Sequence, residues 1–189
     1  MIAALLALAL QTAPAAAAPD PCPVDTRAML DLGLNAFDQD MNGGWRALAQ
    51  RPACEARAAD LIRDYRDFAR QRMGLLAWHE GQLRANLGQN EAAIALMGQS
   101  RHPDDGDGWN FYADATVAFL RGDRSALVAA RERLAALPRP EGFRDQELPG
   151  GYRVRWPMNL DVVDALVRCF GRPYREAYGA PECRRPPAQ

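Results

Sequence analysis

A pattern repeated at an interval of about 34 residues between Leu75 and Pro138 constrains this chain more than any other feature. Helical repeats stack at such a period. The shift sets Trp78 over Tyr112, Gly81 over Ala115, Leu83 over Val117, Gly88 over Gly122 and Ala92 over Ala126. Each copy reads as an apolar helix, a tight glycine turn (Leu87-Gly88-Gln89-Asn90; Arg121-Gly122-Asp123-Arg124) and a second, alanine-rich helix. A unit of this kind buries one face only against a neighbour, so its function is expected in the surface that the stack presents.

On these residues the chain resembles the tetratricopeptide repeat family, over about a third of its length. Aligned on the turn glycines, the small residue at the close crossing of the two helices falls on Gly81 and Ala115. The second-helix alanine falls on Ala93, and Ala126-Leu127 is one residue out of step; Pro103 and Pro138 or Pro140 approximate the closing proline. Arg84 and Ala118 stand where a tyrosine is common. The resemblance implies an all-α fold of antiparallel helix-turn-helix repeats, an α-solenoid with clear repeats at about 75–104 and 109–138. It also implies a protein or peptide partner held in an aromatic-lined concave groove, contacted by Trp78, Gln82 and Asn86 from the first copy and Trp109, Tyr112 and Thr116 from the second. The competing expectation is that these aromatics fill the space between helices.

At 189 residues, 48% hydrophobic and 25% charged, the chain is long enough for one domain with its own core, about 19–189. With a net charge of -1, no field of one sign argues for nucleic acid or an anionic membrane as partner. All 23 basic residues are Arg, which excludes Schiff-base and phosphate-loop lysine chemistry. Residues 1–18 carry an apolar run, Ile2 to Leu10, followed by small-x-small steps at Ala13-Pro14-Ala15 and Ala15-Ala16-Ala17. This reads as a secretory signal without the usual leading positive charge, too short to span a bilayer as a mature helix. It predicts export, to the periplasm if the signal is bacterial. The remaining cysteines, Cys22, Cys54, Cys169 and Cys183, then predict two disulfides, with three connectivities possible. Cys22–Cys54 and Cys169–Cys183 are expected, because each would pin an end of the chain to a helix; no close Cys pair suggests a zinc site.

In chain order, Asp25 or Thr26 caps a helix expected to reach Phe37. It runs into Asp38-Gln39-Asp40-Met41-Asn42-Gly43, which copies the opening of an EF-hand calcium loop. Asp38, Asp40 and Asn42 would be ligands of a calcium-stabilised module, but Ala49 replaces the closing Glu, and a polar turn is the plainer expectation. An amphipathic helix is expected from Glu55 to Met73, with Ala58, Leu61, Ile62, Tyr65, Phe68 and Ala69 on its apolar face. With the short segment Trp45 to Gln50 it would form a degenerate preceding repeat.

An enzyme of unrecognised type would have to use His79-Glu80 or the loop of His102 with Asp104, Asp105 and Asp107. Leu83 stands where a zinc-protease helix needs its second His, and no Gly-x-Ser-x-Gly elbow surrounds Ser100 or Ser125. No cofactor is implied. After Pro138 the pattern changes: Tyr152, Val154 and Trp156 alternate with Arg153 and Arg155 as an extended arm or half of a small hairpin. A capping helix from about 159 to 170 follows, with Asn159 as its cap, and then an irregular, proline-rich tail.

Overall fold

The structure is a computed structural model; it describes residues 20–69, 74–103, 108–148 and 152–185. The segment read as a secretory signal lies outside the described residues. Asp25 caps α1 (Thr26–Leu30) by accepting from the Ala28 amide at 3.0 Å. The expected continuous helix to Phe37 is broken at Asp31–Leu34, around the poor helix former Gly33, and resumes as a π-type turn, Asn35–Gln39. That wider turn buries the consecutive residues Phe37 and Asp38 together.

Next come α2 (Gly44–Ala49), a 3-10 turn (Pro52–Cys54) and α3 (Glu55–Ala69). Ala58, Leu61, Ile62 and Tyr65 of α3 are buried as expected, but Phe68 is exposed, with the Arg27 guanidinium 5.6 Å from its ring centre. Two helical hairpins follow: α4 (Gly74–Asn86) with α5 (Asn90–Gly98), and α6 (Trp109–Leu120) with α7 (Arg124–Ala135).

The two hairpin turns are built alike. Gly88 has φ +74° and Gly122 φ +71°, the left-handed conformation that only glycine adopts freely. At the first turn the Gln89 amide donates to Arg84 O at 2.9 Å and the Gly88 amide to Ala85 O at 3.0 Å. At the second, Asp123 donates to Ala118 O at 2.9 Å and Gly122 to Phe119 O at 3.0 Å. This is the paired bonding of a Schellman stop, repeated at the same interval as the sequence pattern. A Cβ on Gly81 would lie 3.1 Å from Met97 Cγ and 3.3 Å from the Ala93 carbonyl oxygen, so α4 and α5 cross where the sequence places a small residue.

Beyond α7, β1 (Gln146–Leu148) pairs antiparallel with β2 (Tyr152–Val154), Glu147 opposite Arg153, so the extended segment is half of a small hairpin. The Trp156 indole donates to Leu137 O and holds the hairpin to the helices. Asn159 does stand before α8 (Leu160–Arg168), but in the left-handed conformation at φ 63°, and its side chain caps nothing. The expected irregular tail instead forms α9 (Tyr174–Gly179) and α10 (Pro181–Arg184), because Pro173 and Pro181 stand where proline starts a helix.

Both disulfides join the expected partners, Cys22–Cys54 and Cys169–Cys183. Such bonds belong to an oxidising compartment. No helix among the described residues is long and apolar enough to cross a membrane. The core has two parts with α4 as their shared wall. Leu76 and Leu83 join Phe37, Trp45, Leu61 and Ile62 in the first, while Trp78 and Ala85 join Met97, Tyr112, Leu127 and Leu166 in the second.

Candidate peptide-binding groove

The structure divides the residues expected in a groove. Trp78, Tyr112 and Thr116 lie in the interior, a correction to the groove expectation. The Trp78 ring centre is 4.8 Å from that of Tyr112 and 5.0 Å from that of Trp109, a packed aromatic cluster. The Thr116 hydroxyl donates to Tyr112 O within its own helix. Trp109 is half-buried and its indole donates to Ser100 O at 2.7 Å. The aromatics at helical spacing hold hairpin to hairpin, because large apolar rings gain most where both faces are covered.

Gln82 and Asn86, one and two turns beyond Trp78 along α4, are half-buried where the helix meets α9. There a groove of about 510 Å³ opens between the α4–α5, α6–α7 and α8–α9 turns. Its walls are Phe119, Phe170 and Tyr174, and its polar lining is Asn86, Asn90 and Arg172. The Phe119 and Phe170 rings meet edge to face at 6.0 Å, and the Phe119 and Tyr174 centres are 6.3 Å apart. Burial pushes the Tyr174 hydroxyl's pKa far up and the nearby Tyr178 adds to this; Gln82 acts the other way, though its contact lacks hydrogen-bond geometry. Tyr174 therefore serves as a neutral, largely apolar wall. Sequence reasoning missed Phe119, Phe170 and Tyr174. The signal for them was the glycine after α8, Gly171, which has φ +88° and falls outside the 34-residue interval.

Three carboxylates are buried among the described residues, one of them against the groove residue Asn86. Glu55 accepts from Asn86 Nδ2 at 2.8 Å and pairs with Arg175, which fixes the start of α3 to the end of α4 and to α9. Glu80 pairs with Arg66 at 2.6 Å and Arg84 at 3.5 Å. Asp38 is 1% exposed and accepts from Trp45 Nε1 at 2.9 Å, meets His79 Nδ1 at 2.8 Å and is bonded by Gln39. Burial, the largest influence, would raise the Asp38 pKa. The bond and charge of His79, with the Trp45 and Gln39 bonds, outweigh it and hold the carboxyl below its ordinary value.

These partners redirect the chemistry expected from the sequence. Asp38 turns inward and Asp40 accepts from the Asn42 amide at 2.9 Å, so the EF-hand-like string does not converge on a common ion. His79 and Glu80 point to different partners, Asp38 and the Arg66–Arg84 pair. The Ser100 hydroxyl donates to Met97 O and that of Ser125 to Asp123, so neither completes a triad with Asp38 and His79. His102 is exposed and stacked on Trp109 at 5.4 Å, and its loop acids Asp104, Asp105 and Asp107 lie outside the described residues. Among the described residues no three His, Cys, Asp or Glu side chains gather as a metal site.

No family model matches the chain, and neither a curated protein nor a solved structure matches it. The groove's volume falls within the ~300–1,000 Å³ usual for ligand sites, and its aromatic walls with a few amides suit a segment of polypeptide. Asn86 Nδ2 already donates to Glu55 and Asn90 Nδ2 to Leu120 O at 3.4 Å, which leaves each amide its oxygen and second N–H to offer a peptide backbone.

Proposed function

We propose that this protein is an exported scaffold of tetratricopeptide-like helical hairpins that binds a short peptide segment of a partner protein in the groove between its three glycine turns. The observation that carries the reading is that groove: aromatic walls from Phe119 and Phe170, and Asn86 and Asn90 presented at its rim. The repeat architecture is supported by the matching hydrogen bonds of the Gly88 and Gly122 turns and by the close crossing at Gly81. Export is supported by the two disulfides and by the apolar run at Ile2 to Leu10.

Selection of phage-displayed random peptides on the purified, oxidised protein tests the proposal. Enriched peptides are expected to bind the wild type and to lose binding to Asn90→Trp, which fills the groove from an exposed position, and to Phe170→Arg. Peptides that bind both variants as well as the wild type would move the site elsewhere. Failure to enrich any peptide would argue against the peptide reading.

A further inference from the structure

The groove is uneven in charge. Among the described residues Arg172 is the one charged side chain in its lining, and no carboxylate among them lines it. The Arg172 guanidinium is not idle: Nη1 lies 3.1 Å from Glu182 Oε1, and the two side chains are 48% and 61% exposed. An ion pair so open to water holds weakly, because solvent and salt screen it and both side chains lose freedom in forming it. A carboxylate delivered on a ligand that also covers Phe119 and Phe170 would meet the same guanidinium with less water around it, where a charge-assisted bond is stronger.

We propose that the groove selects a peptide segment carrying one Asp or Glu side chain between apolar residues, that Arg172 receives that acid, and that Glu182 is its built-in competitor. This rests on the peptide-binding reading and deepens it. The groove is open along its rim, where Gly88, Asn90, Gly122 and Arg172 are exposed, so a chain can cross it and continue on both sides. The lone cation then fixes register, and the aromatic walls take the flanking apolar side chains. Glu182 belongs to α10, which the Cys169–Cys183 bond ties to the end of α8 and so keeps the competing acid beside Arg172. A ligand acid seated on Arg172 competes with Glu182 for the same guanidinium, which makes affinity for an acidic segment depend on Arg172 and Glu182 in opposite senses.

The test uses three bead libraries of random heptapeptides: capped at both ends with a central Glu, capped with a central Gln, and central Gln with a free C-terminal carboxylate. Binding of the labelled wild-type protein is expected to favour the central-Glu library about tenfold over the capped Gln library. Arg172→Gln should remove that preference without abolishing binding. Glu182→Gln should strengthen binding of the Glu library about threefold and leave the Gln library unchanged, a gain that misfolding cannot mimic. Equal binding of the two capped libraries, or an equal loss from both in Arg172→Gln, overturns the assignment while leaving a groove binder. A preference for the free-carboxylate library overturns the internal acid in favour of a chain end. If no library binds, or Phe170→Arg changes nothing, the peptide reading itself fails together with this one.

Discussion

The regions on either side of α4 are held together by different physics. Toward the N-terminus, α4 meets a core threaded by buried charge: Asp38 with His79 and Trp45, and Glu80 with Arg66 and Arg84. Toward the C-terminus it meets an aromatic and aliphatic core that includes Trp78, Tyr112, Met97 and Leu127. A buried carboxylate is costly unless every partner is present, so the first region depends on a few irreplaceable contacts. The second spreads its stability over many small ones, and its hairpins leave a groove at their turns without unsettling the core.

Glycine substitutions give the sharpest contrast and the largest expected effect. Gly44 has φ +49°, and a Cβ there would lie 2.0 Å from the Phe37 carbonyl oxygen, against backbone that cannot move without displacing Phe37 and Asp38. Gly44→Ala should destabilise by on the order of 4 kcal/mol in urea unfolding, combining backbone strain and overlap. Gly88→Ala, where a Cβ meets nothing within 4 Å, should cost only about 1 kcal/mol. Equal losses would erase the distinction between the regions.

Next in size are the disulfides, one to each region. Cys22–Cys54 and Cys169–Cys183 span separations of 32 and 14 residues. Paired Cys→Ser changes should therefore cost about 4 and about 3 kcal/mol respectively by loop entropy, read as shifts in the denaturation midpoint. A smaller loss, about 2 kcal/mol, is expected for His79→Ala, because Asp38 keeps its other partners but loses one bond to a buried charge. In a double-mutant cycle with Asp38→Asn the two changes should couple strongly, and additive losses would show that the pair is incidental.

The smallest effect is one of pH. The folded-state pKa of Asp38 lies below its unfolded value near 3.8, so the unfolded chain takes up the proton first as acid is added. The stabilisation by Asp38 is complete above about pH 5 and falls away as pH drops through the folded pKa. Asp38→Asn should flatten the acid limb of stability against pH, measured by thermal melts between pH 3 and 6. An unchanged limb would mean that other carboxylates govern acid unfolding.

The same contrast explains what could be read in the sequence. The hairpins α4–α5 and α6–α7, the α3 stripe and the pairing of all four cysteines were legible because glycine turns, helical periodicity and loop economy act over short distances. The meeting of Asp38 with His79, 41 residues apart, and of Glu55 with Arg175, 120 apart, was not, since polar residues on a helix look alike whether they face water or a distant partner. The groove aromatics were hidden for a related reason. Trp78 and Tyr112 carried the visible repeat signal and went to the core, whereas Phe170 and Tyr174 flank the Gly171 turn, which lies outside the 34-residue interval. Asn86 lines the groove because its position at the end of α4, next to the Gly88 turn, is set locally.

Amide chemical-shift mapping by NMR of the oxidised protein, titrated with a peptide selected against it, decides whether the groove is the binding site. Shifts are expected in residues 85–90, 119–123 and 170–174, the three turns around the groove. Shifts centred on His79 and Trp45, or along the outer face of α7 around Glu132 and Arg133, would contradict that site.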